Sequence, residues 1–178
     1  MPGMRALALP VLALGLLATP AALAEPSPSQ KLFRDTVVKD KRTTKAMRGA
    51  LRTHAAFVDP RSGFADVTGD GRQDALVLVT TGGAGGTVGL YVLSTHGQRS
   101  SDTKLRVLFR LQRLYRATLR LRGTTITVEE PKWAPGEDLC CPARLRARDY
   151  GFDPTRRAFV RTDDRVIDGP GAAPPPAG

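Results

Sequence analysis

Two apolar runs separated by a glycine-rich stretch are the strongest constraint on the fold. Residues 75–81 read ALVLVTT and residues 87–95 read TVGLYVLST. Runs rich in β-branched and aromatic residues are typical of strands. The GGAGG stretch between them allows a chain reversal, but it has neither the spacing of a dinucleotide-binding glycine motif nor the Gly-Lys-Ser/Thr end of a phosphate loop. The sequence therefore predicts a buried antiparallel hairpin.

The segment at residues 105–130 fits two periodicities. Read as a helix, its arginines lie three or four residues apart and form a basic amphipathic surface. Read as strands, arginines alternate with apolar residues, and the TTITVEE sequence after Gly123 is strand-like throughout. Residues 144–148 repeat the alternation. We favour strands, because one antiparallel meander accommodates all of these segments.

The stretch before the hairpin has helical character. Residues 31–56 place apolar side chains at helical spacing, and a break near residues 41–44 leaves either one helix or two. The expected fold class is α+β, with an N-terminal helix (one or two) packed on an antiparallel meander sheet of about five to seven strands. The outer face of that sheet is expected to bind anions through its arginines: Arg106, Arg110, Arg116, Arg120, Arg122, Arg144, Arg146 and Arg148.

The N-terminal residues have the pattern of a secretory signal peptide. One positive charge, Arg5, precedes an apolar run at residues 6–17, and small residues occupy the cleavage region at residues 22–24. The run is shorter than a membrane span. We therefore predict a secreted protein with no transmembrane segment after processing. Its parts are a signal peptide at 1–24, a flexible lead-in at 25–31, one globular domain at 32–167 and a disordered Pro/Gly/Ala tail at 168–178.

The charge balance is strongly basic. The chain has 27 Lys and Arg residues against 17 Asp and Glu residues, a formal net charge of +10. This excess fits either a solvated surface or an anionic partner, since guanidinium groups pair with phosphate and carboxylate. For an exported protein the expected partner is an anionic polymer of the cell envelope or another protein, rather than nucleic acid.

Residues 66–74, which read DVTGDGRQD, have the spacing of a cation-binding loop. Its candidate oxygen ligands occupy alternate positions: Asp66, Thr68, Asp70, the carbonyl of Arg72, and Asp74. Calcium takes about six to eight oxygens, and a glycine at the sixth loop position permits the sharp turn. Val77 stands where an EF-hand has its glutamate, so an EF-hand is excluded. A calcium site and a metal-free, Asp-rich turn remain as alternatives.

The loop resembles the D-x-[ND]-x-D-G-x-x-D loops of FG-GAP and VCBS-type extracellular modules. Those loops bind structural calcium between strands, which implies Asp66, Asp70 and Asp74 as carboxylate ligands here. Thr68 replaces the usual Asn or Asp, which weakens the implied site. The motif occurs once, so the resemblance does not extend to a propeller.

A wider resemblance covers most of the chain after residue 24. Small exported proteins and lipoproteins of high-GC Gram-positive bacteria, of the LppP/LprE type, combine a D-x-T/N-G-D-G loop, a strand, a glycine-rich turn and a late Cys-Cys-Pro. Here these are residues 66–74, 75–80, 82–86 and 140–142. The resemblance implies an extracytoplasmic α+β domain of unassigned function.

The two cysteines of the chain, Cys140 and Cys141, are adjacent. Export favours their oxidation. Neighbouring Cα atoms lie about 3.8 Å apart, below the usual disulfide range of about 4.4 to 6.8 Å. A vicinal, easily reduced disulfide is the leading interpretation, and two thiols or a crossed dimer are the alternatives.

The sequence offers little for catalysis, and no catalytic residue is predicted. There are two histidines and no Gly-x-Ser-x-Gly motif. Glu129-Glu130 and Glu137-Asp138 are candidates for a carboxylate pair in glycan hydrolysis, but adjacent acids at a strand end are normally solvated. We expect a non-catalytic exported domain that binds an anionic envelope component or a protein partner. The alternative is an envelope hydrolase or a protein inhibitor of one.

Overall fold

The structure, a computed structural model, describes residues 26–97 and 104–172. The predicted signal peptide and the last six residues of the predicted tail lie outside these ranges. The described residues form two helices and nine strands: α1 (Pro28–Lys39), α2 (Lys45–Arg52), β1 (Phe57–Val58), β2 (Gly63–Ala65), β3 (Asp74–Thr80), β4 (Thr87–Ser94), β5 (Arg106–Gln112), β6 (Thr118–Arg122), β7 (Thr125–Pro131), β8 (Arg144–Asp153) and β9 (Ala158–Asp168). The α+β class is confirmed, as are two helices and the strand interpretation of residues 105–130.

The nine strands form two antiparallel sheets where a single meander of about five to seven strands was expected. Sheet A has the order β1-β3-β4-β5, with β2 also paired to β3, and sheet B has the order β6-β7-β8-β9. The chain leaves sheet A after Gln112, in a connection where Arg113 and Arg116 have φ values of 64° and 49°. Such left-handed residues break the extended path of a strand. The connection therefore carries the next strand into a second sheet.

Sheet A is the middle of three layers. One face, with Val77 and Tyr91, packs against Phe33 and Val37 of α1 and Leu51 of α2. The other face packs against sheet B through a second cluster of buried side chains, which includes Leu76, Leu90, Val92, Ile126 and Val128. Burial on both faces explains why residues 75–79 are apolar throughout rather than alternating. The predicted buried hairpin is β3 and β4.

Both ends of the domain are ordered slightly beyond the predicted boundaries. Helix α1 starts inside the predicted lead-in, because the Ser27 hydroxyl accepts the Gln30 N–H and the Gln30 side chain accepts the Ser27 N–H. Strand β9 continues to Asp168, and the N–H groups of Gly169 and Gly171 then donate to the carbonyls of Ala143 and Pro142. Residues 28–31 and 168–171 are therefore part of the folded domain.

Candidate functional site

The Asp-rich loop folds around its own backbone N–H groups. Asp66 Oδ1 accepts hydrogen bonds from the N–H of Gly69 at 2.7 Å and of Asp70 at 3.2 Å, and Oδ2 accepts from Gly71 N–H at 2.8 Å. Gly69 and Gly71 have φ values of 73° and 79°, which glycine adopts without strain. The loop is therefore capped from within by its first carboxylate.

Asp74 anchors the loop at the start of β3. It is only 1% exposed, and its Oδ2 accepts the N–H groups of Val67 at 3.1 Å and Thr68 at 3.0 Å. Its other oxygen, Oδ1, is buried and has no hydrogen-bond partner within the described residues, and the same holds for Thr68 Oγ1. Two predicted ligand atoms are thus buried and unpartnered, which is uncommon in folded proteins.

Asp70 ties the loop to the end of the hairpin. Its Oδ1 accepts Arg72 N–H at 3.0 Å, and its Oδ2 lies 2.8 Å from His96 Nδ1. Burial raises the pKa of Asp70, but the hydrogen bonds from Arg72 and His96, with a smaller contribution from the nearby Thr68 hydroxyl, outweigh that effect and hold the pKa below its usual value. Sequence reasoning missed the His96 contact, because the two residues are 26 positions apart and no local pattern joins them.

The predicted ligands only partly suit a cation. Thr68 Oγ1 and Asp74 Oδ1 are oxygens without a partner, as a cation site needs. Asp66 and Asp70, however, turn their carboxylates to backbone N–H groups and to His96. In the part of the chain that the structure describes, no three His, Cys, Asp or Glu side chains converge on one point. The loop is therefore a turn that Asp66 stabilises through backbone N–H groups, with two buried oxygens, Thr68 Oγ1 and Asp74 Oδ1, that accept no hydrogen bond within the described residues.

The eight predicted arginines do not share one face. Arg106 and Arg110 lie on β5 in sheet A, and Arg116 lies in the connection between the sheets. In sheet B, Arg120 is opposite Thr127, whereas Arg148 is opposite the next residue, Val128. Because successive residues of a strand face opposite ways, Arg120 and Arg122 occupy one face and Arg144, Arg146 and Arg148 the other. The expectation of a single arginine face is wrong, because pairing register, rather than alternation within each strand, decides the face.

Several of these arginines pair with carboxylates. The ion pairs are Arg110–Asp40 at 2.9 Å, Arg120–Glu129 at 2.8 Å, Arg146–Asp164 at 2.6 Å and Arg148–Glu130. Arg106 and Arg116 instead donate to the carbonyls of His96 and Leu139. Most of the set therefore stabilises the fold and has limited capacity for an external anion.

The outer face of sheet B is a mixed-charge surface. A cavity of about 400 Å³ on it is lined by Arg120, Arg122, Thr125, Thr127, Glu129, Asp149, Arg165 and Ile167. Asp149 accepts hydrogen bonds from Thr127 Oγ1 at 2.7 Å and from Arg165 at 2.6 Å. These bonds lower the pKa of Asp149. Two of its three arginines, Arg120 and Arg165, are paired with the acids of the same face, Glu129 and Asp149.

The carboxylates considered for hydrolysis are also engaged. Glu129 pairs with Arg120, and Glu130 pairs with Arg148 and accepts Tyr115 N–H. As neighbours on β7, Glu129 and Glu130 face opposite sides of sheet B. Glu137 accepts Ala134 N–H in the following loop. No observation on these residues favours a hydrolase.

The cysteines form the predicted vicinal disulfide. Cys140 and Cys141 are bonded to each other, with Cα atoms 3.8 Å apart, and both are exposed. The same end of the domain carries Trp133, whose ring lies 5.5 Å from that of Tyr115 and 5.9 Å from the guanidinium of Arg116. The disulfide closes a turn beside this aromatic contact.

Comparison of the chain with protein-family models, with curated proteins and with solved structures finds no match. The resemblances noted from the loop and the Cys-Cys-Pro sequence therefore stay predictions. None of the helices in residues 26–97 and 104–172 is long and apolar enough to cross a membrane.

Proposed function

We propose that this chain is an exported, non-catalytic binding domain whose partner is an anionic component of the cell envelope or an acidic protein. The observation that supports this function is the unequal use of charge. Asp66 and Asp74 bind backbone N–H groups and so neutralise no basic side chain, whereas Asp59 and Glu129 each pair with one arginine, Arg61 and Arg120. With a formal net charge of +10, the charge left for solvent is basic.

This function predicts salt-sensitive binding to acidic polymers. The purified protein should bind a phosphodiester wall polymer or an acidic glycan, and its affinity should fall about tenfold or more between roughly 50 and 200 mM salt, because binding releases counterions. Titration with fluorescently labelled polymers would measure this, with an uncharged glucan as the control. Equal binding to the uncharged polymer, or binding insensitive to salt, would contradict the proposal.

We also propose calcium as a stabilising ligand of the loop, supported by the two unpartnered oxygens of Thr68 and Asp74. Thr68, Asp74 and the carbonyl of Arg72 would hold it, and Asp66 and Asp70 would join them by turning from their present partners, which are backbone N–H groups and His96. A bound divalent cation would neutralise the carboxylates and fix the entry to β3. The expected result is a rise in the melting temperature with calcium over chelator, since a hundredfold excess over Kd adds about 2.7 kcal/mol to the free energy of unfolding.

The Thr68→Val variant makes this test decisive, because valine keeps the side-chain shape and removes Oγ1. If the loop holds calcium, the variant loses much of the calcium-dependent rise. If the loop is metal-free, removing this hydroxyl changes stability by the same amount in calcium and in chelator. Wild-type melting temperatures that are identical in calcium and chelator would refute calcium binding.

A further inference from the structure

The excess positive charge is concentrated in the helices. Residues 28–52, here called the helix layer, comprise α1, α2 and their connection. They contain eight Lys and Arg residues and two Asp residues, an excess of six, where the whole chain has an excess of ten. The helix layer, rather than either sheet, therefore carries most of the net positive charge.

Both aspartates of the helix layer are already paired. Asp35 pairs with Arg34 at 3.2 Å, and Asp40 pairs with Arg110 of β5 at 2.9 Å. Arg48 is also engaged, since it donates to the Asp40 carbonyl. Six exposed basic residues remain that form no ion pair within residues 26–97 and 104–172: Lys31, Lys39, Lys41, Arg42, Lys45 and Arg52.

The packing of the helices turns these residues outward. Phe33 and Val37 bury one side of α1 against sheet A, and Lys31 and Lys39 lie about two turns apart away from that side. Lys39 lies at the edge of the layer, beside the start of β5. In α2, Met47 is buried and Arg52 is exposed. The exposed basic residues thus belong to a layer whose other side packs against sheet A.

The spacing of the charges selects an extended ligand. Lys39 lies eight positions after Lys31 in the helix, a rise of about 12 Å, which exceeds the screening length of about 8 Å at physiological salt. One small anion cannot contact both ends of such a row, but a chain of repeating charges can. The apolar sides of both helices are buried on sheet A, and Leu32 is the single large apolar side chain of the helix layer that is exposed, so the layer offers little for insertion into a lipid bilayer.

We propose that the helix layer binds a linear polyanion through Lys31, Lys39, Lys41, Arg42, Lys45 and Arg52. This inference rests on the proposed function and gives it a location. Lysine dominates the set, and its hydrated ammonium group suits loose contact along a flexible chain better than bidentate capture of a single carboxylate.

Two matched triple variants test the location, with long-chain inorganic polyphosphate as the probe. The first is Lys39→Gln, Lys45→Gln and Arg52→Gln in the helix layer. The control is Arg113→Gln, Arg122→Gln and Arg144→Gln, which removes the same charge from exposed arginines elsewhere. The helix-layer variant should bind at least about tenfold more weakly, and its plot of log K against log salt should be shallower by about one for each lost contact. The control should change much less.

The outcomes separate location from function. If the control loses as much affinity as the helix-layer variant, the assignment to the helix layer is overturned and anion binding stands. If the wild-type protein binds neither polyphosphate nor any other acidic polymer, the proposed function itself fails. If it binds phosphatidylglycerol vesicles but not polyphosphate, the surface recognises membranes and the polymer assignment is overturned.

Discussion

Replacing Asp74 with alanine is expected to lower the free energy of unfolding by about 3 kcal/mol. The carboxylate accepts the N–H groups of Val67 and Thr68 from a position that is 1% exposed. Alanine leaves both donors without an acceptor, and Val67 is fully buried, so water cannot replace the lost bonds there. Urea unfolding would measure the change, and the slope m should stay constant.

Two neighbouring variants make the Asp74 result specific. Asp74→Asn keeps one acceptor oxygen and should cost about 1 kcal/mol. Gln73→Ala changes an exposed side chain beside it and should be within about 0.5 kcal/mol of wild type. An Asp74→Ala protein as stable as Gln73→Ala would show that the loop is not held by this carboxylate.

Replacing Leu51 with alanine is expected to lower the free energy of unfolding by a similar amount, about 2 to 5 kcal/mol. Leu51 is fully buried where α2 meets sheet A, and truncation leaves a cavity that the rigid sheet cannot fill. Differential scanning calorimetry would measure the loss. Proteolysis should also reach α2 earlier than in the wild-type protein, because the helix depends on this packing rather than on its own eight residues.

The exposed neighbour Arg52 supplies the control for Leu51. Arg52→Ala removes a long side chain from the same turn without opening a cavity, so stability should stay within about 0.5 kcal/mol of wild type. Equal losses in the two variants would mean that α2 is not anchored through its buried side.

The elements of the fold were predictable where local patterns decide them. Alternating arginine and apolar residues gave β5, β6 and β8, and the continuous apolar run gave the central hairpin. The start of α1 was missed, although Ser27, Pro28 and Gln30 form a capping box that sequence reasoning can recognise.

The arrangement of charge was not predictable, because it depends on register and on contacts distant in sequence. Alternation predicts that Arg120 and Arg122 share a face of sheet B. Which of the two faces they occupy is decided by the register, because Arg120 pairs with Thr127 rather than with Val128. A shift of one residue would exchange the faces. The contact of Asp70 with His96 and that of Asp40 with Arg110 join segments far apart in the chain, so neither leaves a local signal.

The order of the strands along the chain has a consequence for assembly during synthesis. Sheet A is complete once β5 has emerged, but its second face is covered by Ile126, Val128, Tyr150 and Phe159, which belong to sheet B. A chain that emerges from its N terminus therefore carries an apolar surface that β7 and β8 begin to cover and that Phe159 of β9 completes. Vectorial folding would leave the intermediate that precedes β7 the most prone to self-association.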